Sequence, residues 1–358
     1  LQDQGKRYGV KQLFKDYREM IDTVDLDAVV ISTPDHHHAP AAARAMKKGR
    51  HVYCEKPLTH TVHEARVLAA LAKQHGVVTQ LGTQNHFHPV NVQAQAILER
   101  GDIGDVREVH VITDRPGTWW DQGLSRPTEA KKVPDELDWD LWLGPAPVRP
   151  YHPAYAHFRW RGWWDFGCGA VGDMAIHLMD LAVYALELDA PIKVTAQGSK
   201  VLPESGPTAM VATFEYAARG SRPPCRVVWY EGTAKPPAHI AAELPMNGSL
   251  FIGDRGRLAV DHCKKNTLLP EGRFGSAQLP ALGRHASHHG NWIDACKSRG
   301  KADCDFADAG PFTEQVLLAN VAYRTGRAIY WRPDEECALG LPEAGILLNK
   351  HYRRGWEL

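Results

Sequence analysis

The sequence predicts two domains of different class, a parallel α/β domain over residues 1–87 and an α+β domain over residues 88–358 built on a large, mostly antiparallel, open-faced sheet. Three observations predict this. A complete strand, helix, strand unit fills Asp27 to Leu58. The second half alternates apolar and polar residues in period two. The 358 residues suffice for two cores of ordinary size.

Taken in order, Leu1 to Val10 is polar and helix-like, and Lys11 to Ile21 reads as a connection into the first clear strand. Asp27 to Ser32 is an apolar run rich in β-branched residues, stopped by Thr33-Pro34-Asp35, and reads as a buried parallel strand. A helix follows from about His37 to Lys48, with Lys47, Lys48 and Arg50 suited to the negative end of its dipole. His51 to Cys54 re-enters the sheet, and the chain leaves it through Glu55-Lys56-Pro57. A helix from about Val62 to His75 leads to a last strand, Val77 to Gly82, with Gln84 at its end. A further helix, about Val90 to Arg100, is closed by Gly101 in a C-cap position and crosses to the second domain. There the alternating pairs are Val109-x-Val111, Met210-x-Ala212-x-Phe214-x-Tyr216, Val227-x-Trp229, Leu250-x-Ile252, Leu258-x-Val260 and Ile329-x-Trp331. Asp254-Arg255-Gly256 reads as a hairpin turn, and helices are expected near Asp173 to Leu186, Asn291 to Ser298 and Phe312 to Thr325.

Two stretches lack a period. Pro116 to Trp164 carries seven of the eleven tryptophans, and Leu268 to Gly290 holds His285, His288 and His289. Irregular segments of this length are usually functional or mobile.

Composition removes several function classes. Lys plus Arg equals Asp plus Glu at 42 each, so no net field draws the surface to nucleic acid or an anionic membrane. The apolar run Leu178 to Leu188 is broken by Asp180 and Glu187 and falls short of the roughly 18 to 20 residues that cross a bilayer. Seven cysteines without a C-x-x-C pair give neither a disulfide framework nor a zinc site, and read as reduced, mostly buried thiols. Three adjacent histidines, His36 to His38, cannot all face one metal, so no metal is expected, and a surface turn is one reading of them.

The candidate chemistry sits at two places. Ligands of open α/β sheets bind at the carboxyl ends of strands, which is where Glu55, Lys56 and Pro57 fall. A partly desolvated ammonium there stabilises a developing alkoxide. Asp173 and His177 stand four apart on an expected helix and share one face with Asp180 and Tyr184. Spacing leaves two readings open, a helix cap with a core histidine, or an acid and base bordering a pocket. Histidine near its ordinary pKa accepts a hydroxyl proton at neutral pH. A G-x-G-x-x-G at Gly167 to Gly172 is read as a glycine turn into a helix, because no buried strand precedes it.

Thr33-Pro34-Asp35-His36-x-His38, Gly49-x-His51-Val52, Cys54-Glu55-Lys56-Pro57-Leu58 and the segment Gly169 to Asp180 resemble the glucose-fructose oxidoreductase, inositol dehydrogenase and rhizopine-catabolism family, abbreviated Gfo/Idh/MocA. The resemblance covers nearly the whole chain. It implies a Rossmann-like nucleotide domain, NAD or NADP as cofactor, and hydride transfer between nicotinamide and a carbinol of a small sugar, polyol or glycoside. It implies that Ser32, Thr33, Pro34 and His38 line the nicotinamide half of the groove, that Glu55 accepts hydrogen bonds from a ribose, that Gln84 stands at the next strand end, and that Lys56-Pro57 is cis. In that picture His177 is the general base, Lys56 holds the reacting oxygen beside the cofactor, and Asp173 positions the hydroxyls and tunes both.

The resemblance also implies a homodimer or homotetramer formed through the open sheet face, and a cytoplasmic location is expected unless an export signal precedes Leu1. Relative to the family, about forty residues with the first strand and its Gly-rich turn are expected before Leu1, given the ~30-residue size of a βαβ unit; the nucleotide domain is thus expected to be truncated, and any export signal would lie there. Two alternatives stand beside the dehydrogenase: an NAD-dependent glycosidase of the same fold, and a noncatalytic truncated homologue. Asp138 to Pro145 and Trp160 to Gly167 resemble a branch of the family carrying an insertion. Flat aromatic faces beside arginines suit a pyranose, which makes Arg159, Arg161, Trp163 and Trp164 candidate substrate or cofactor contacts; subunit contact or a loop core is the alternative.

Overall fold

The computed structural model describes residues 1–274, 279–281 and 287–358, so His285 lies outside the described residues. A parallel sheet comes first, in the order β1 (Ala28–Ile31), β2 (His51–Glu55), β3 (Thr79–Gly82). Helix Asp35–Lys47 carries the chain from β1 to β2, and Val62–His75 from β2 to β3, as parallel neighbours require. The second helix starts on a capping box, in which Thr61 accepts from Glu64 N while Glu64 accepts from Thr61 N. β1 departs from expectation. Val29 and Ile31 are buried but Val30 is 59% exposed, because β1 pairs with β2 alone among the described residues and one of its faces is open.

The second sheet contains β4 (Val106–Ile112), β5 (Lys193–Gly198), β6 (Ala209–Tyr216), β7 (Cys225–Gly232), β8 (Gly248–Gly253), β9 (Arg257–Asp261), β10 (Lys265–Leu269), β11 (Ile329–Arg332) and β12 (Cys337–Ala338). Their order is β10-β9-β8-β4-β7-β6-β5-β11-β12. Every neighbouring pair is antiparallel except β4 with β7. The period-two reading holds best in β6, where Met210, Ala212, Phe214 and Tyr216 are buried and the residues between them half-buried. Asp254 to Gly256 turns β8 into β9 as read.

Helix Phe306–Thr325 begins six residues before the expected start, because Asp305 caps it by accepting from Ala307 N. It packs on helix Val62–His75 of the first domain and on β5 of the second sheet, so its buried faces belong to both domains. The segment expected as one helix from Asp173 opens instead with a wide π-type turn, Val171–Ala175, before α-helical Ile176–Leu178 and Asp180–Ala185. Such turns recur at functional sites. The glycine motif ahead of it serves packing: a Cβ on Gly167 would meet the Arg161 backbone at 2.6 Å.

Candidate active site

The chain leaves β2 through Glu55, Lys56 and a cis Lys56-Pro57 bond. This turn aims Lys56 across the domain boundary at the wide helical turn. Its Nζ donates to Asp173 Oδ1 at 2.7 Å and to the Asp173 carbonyl at 3.0 Å. Arg161 Nε lies 3.5 Å from the same carboxylate oxygen, its guanidinium stacked between Phe158 and Trp160 at 4.2 and 4.3 Å from their ring centres. Burial opposes charge on Asp173, but Lys56 and then Arg161 outweigh it and hold the carboxyl below its ordinary range.

His177 faces the same cleft, which has a volume of about 570 Å³. The ring is half-buried, with Nδ1 sealed from solvent and without a hydrogen-bond partner among the described residues. Burial, followed by the Lys56 ammonium, lowers its pKa to about 3, so the imidazole is neutral at physiological pH. Beneath the pair lies Asp35, which accepts from Cys168 N at 3.0 Å. Burial, with the Asp173 charge beside it, pushes Asp35 up to about 7. Lys56, from the end of β2, and Asp173 and His177, from one continuous helical stretch, therefore line the same cleft.

Several cleft residues escaped the sequence reading. Arg115 follows β4, bonded to Asp114 and lying 4.7 Å from the ring centre of Trp119. Asn247 precedes β8 and His262 follows β9, with its ring 6.3 Å from that of His177. Burial lowers His262 to about 4. The signal that could have found them is position, since each stands at the end of an alternating strand.

On the nucleotide side the strand ends converge. Gln84 Nε2 donates to Tyr53 Oη at 2.9 Å and to Glu55 Oε1 at 3.1 Å. Ser32 is exposed and Pro34 half-buried, while Thr33 Oγ1 is a buried hydroxyl with no partner among the described residues. An orphaned hydroxyl beside a carboxylate and an ammonium fits the ribose and nicotinamide half of a dinucleotide. His38 differs from expectation. Its two nitrogens lie against the carbonyl oxygens of Pro57 and Thr33 at 2.7 and 2.8 Å; the neutral ring donates to one of them, and both nitrogens are turned to the backbone rather than to the groove. His36 and His37 are buried too, both on the Trp142 carbonyl, which replaces the surface-turn reading.

The tryptophan segment is corrected. Trp163 is 1% exposed and donates to the Ala154 carbonyl inside a cluster with Tyr155, Trp160 and Phe166. Trp164 is buried and donates to the Leu202 carbonyl. Arg159 is exposed and reaches Asp121 rather than the cleft. The aromatic rings make a satellite core, and of the four candidates in this segment Arg161 alone lines the cleft, joined there by Trp119, Trp120 and Phe158.

Comparison with known proteins gives the family of the chain. Residues 2–83 match the family model GFO_IDH_MocA, an oxidoreductase family with an NAD-binding Rossmann fold, and residues 95–358 match the companion C-terminal alpha/beta domain. A levoglucosan dehydrogenase from Pseudarthrobacter phenanthrenivorans is 28% identical over 179 residues, 50% of this chain and 38% of that protein. The scyllo-inositol 2-dehydrogenase (NAD(+)) of Bacillus subtilis is 29% identical over 99 residues, 28% of this chain and 29% of that protein. The matches thus span less than half the length of these curated relatives. Among solved structures, an NAD-binding protein from Listeria innocua superposes with a TM-score of 0.62 at 17% identity, covering 92% of this chain and 88% of that one. Levoglucosan dehydrogenase in complex with NADH and levoglucosan gives 0.59 at 20% identity, covering 92% and 86%. With both domain models matched along most of its length, the chain belongs to the Gfo/Idh/MocA oxidoreductase family.

Proposed function

We propose that the protein is an NAD(P)-dependent oxidoreductase acting on a carbinol of a small sugar, polyol or glycoside, with Lys56, Asp173 and His177 as its catalytic residues. The observation that carries this reading is the Lys56 ammonium fixed on Asp173 in a cleft shared with a neutral His177 at the carboxyl ends of a parallel sheet. The dehydrogenase names of the relatives support the substrate class.

An ammonium has three donors. Two are spent on Asp173, and the third is available to a substrate oxygen. That contact strengthens as the oxygen gains negative charge, which favours the transition state over the ground state. His177 is a neutral imidazole in the cleft, with one ring nitrogen unprotonated; because burial and then the Lys56 charge hold its basicity down, it takes the hydroxyl proton as the developing alkoxide offsets that charge, and returns it in the reverse direction. Asp173 holds the ammonium in place through its carboxylate and its carbonyl. Arg115 and Asn247 line the far wall, where they offer donors to the remaining hydroxyls. Nicotinamide, when bound beside Thr33, Glu55 and Lys56, supplies the hydride chemistry that no side chain provides.

The test is a panel of aldoses, inositols and anhydrosugars assayed at 340 nm with NAD and with NADP, run on the wild type, Lys56→Met and His177→Ala. Each variant is expected to lose about a hundredfold or more in kcat/KM. Turnover within threefold of wild type in either variant overturns the assignment.

A further inference from the structure

A second cavity, of about 270 Å³, lies behind the catalytic cleft, between the loop after Pro57, the turn at Gly167 and Cys168, helix Phe306–Thr325 and the C-terminal segment around Lys350. Three charged side chains line it, and two are spoken for. Asp165 is paired with Arg149. Lys350 Nζ lies 2.7 Å from Glu64 Oε1, which is fully buried.

Arg324 is the third, and it has no counter-ion. Among the described residues no carboxylate or hydrogen-bond acceptor meets its guanidinium, which lies 5.0 Å from the ring centre of Trp164. Burial without a compensating charge lowers its pKa. A desolvated cation left unpaired is costly.

One turn earlier on the same helix face stands Asn320, 9% exposed. Its Nδ2 donates to the Cys168 carbonyl at 2.8 Å, which fixes the amide orientation and leaves Oδ1 as a buried acceptor with no donor among the described residues. His60 also lines the cavity and is neutral, because burial and then Lys350 lower it to about 3. Arg324 and Asn320 thus line one cavity, the first a cation and the second an acceptor for which the described residues supply no partner.

We propose that this cavity is a binding site for a small hydroxylated carboxylate, whose anionic group pairs with Arg324 over Trp164 and whose hydroxyl donates to Asn320 Oδ1. The guanidinium fork matches a carboxylate in two parallel hydrogen bonds. A neutral polyol lacks the charge, and an unhydroxylated acid lacks the donor. The walls include the residues that follow Lys56-Pro57 and those that precede Asp173, so the ligand would brace both catalytic segments from behind.

Isothermal titration of the full chain with glycerate, propionate and glycerol, each at matched sodium chloride, tests this. Glycerate is expected to bind, propionate more weakly, and glycerol not at all. Arg324→Met is expected to weaken glycerate by at least about tenfold, the loss of one charge-assisted pair, and Arg324→Lys by less. Lys56→Met, in the catalytic cleft, is expected to leave glycerate binding intact, which separates this site from the proposed active site. Thermal melting of each variant checks that it is folded. Absence of glycerate binding in the wild type, binding retained in a folded Arg324→Met, or binding lost in Lys56→Met each overturns the proposal.

Discussion

Lys56 Nζ lies 2.7 Å from Asp173 Oδ1 across 117 residues of chain, the two side chains being 18% and 13% exposed. A pair this enclosed behaves unlike a surface salt bridge. Removing one partner leaves a charge stranded in a low-dielectric site, whereas removing both does not.

Asp173→Ala is therefore expected to cost about 3 kcal/mol or more in stability. The double variant Asp173→Ala with Lys56→Met is expected to recover part of that loss while staying inactive. Urea unfolding of the two single variants and the double variant gives the coupling energy; simple additivity would show that the pair is not linked.

Asp35 makes stability depend on pH. Its folded pKa of about 7 lies above the ordinary carboxyl value of 3.8, so its contribution is full below about pH 4 and is lost as pH rises through 7. Asp35→Asn, which keeps the shape without the charge, is expected to melt progressively higher than wild type between pH 4 and 7, with a constant gap above. A parallel pair of Tm curves across that range would show that Asp35 does not titrate there.

For His177 the sign is the reverse, because its folded value of about 3 lies below the ordinary 6.5. Its contribution is present above pH 6.5 and is lost as pH falls towards 3. The kcat/KM profile is expected to show no acidic limb from this residue between pH 5 and 8. A limb near pH 6.5 that disappears in His177→Gln would contradict the lowered pKa.

Trp163 and Trp119 separate packing from recognition. Trp163→Ala empties a fully buried site and is expected to cost about 3 to 5 kcal/mol, with KM nearly unchanged in whatever folds. Trp119, 56% exposed at the cleft mouth, is expected to show the opposite: Trp119→Ala leaves Tm within about 2 °C, in keeping with a small surface effect, and raises KM severalfold. Thermal melts beside steady-state kinetics distinguish the two.

The parts of this molecule that were legible in sequence are those with a period or a motif. β6 announces itself by Met210, Ala212, Phe214 and Tyr216, and Lys56 and His177 by strand-end placement and resemblance. β5 was not legible, because along Lys193–Gly198 only Val194 is fully buried and no alternation results. Trp163 and Trp164 were misassigned for a related reason: an aperiodic segment shows that aromatic rings are present but not which way they point. Arg115, Asn247 and His262 are single residues on three separate strand ends, and only the pairing of β4 with β8 and β8 with β9 gathers them. The wide turn at Val171–Ala175 was not legible, because Gly172 and Asp173 weaken an ordinary helix there without indicating which irregular form replaces it.

Helix Phe306–Thr325 is core to both halves, packed on Val62–His75 on one side and on the large sheet on the other. A rod shared in this way couples the melting of the two halves, so that neither can lose its packing without exposing the other's apolar surface. It also stiffens the hinge between them. Entry to the catalytic cleft then falls to the segments at its rim, such as the long irregular one bearing Trp119, and a conformational gate in this protein would be a matter of that rim rather than of one domain swinging away from its neighbour.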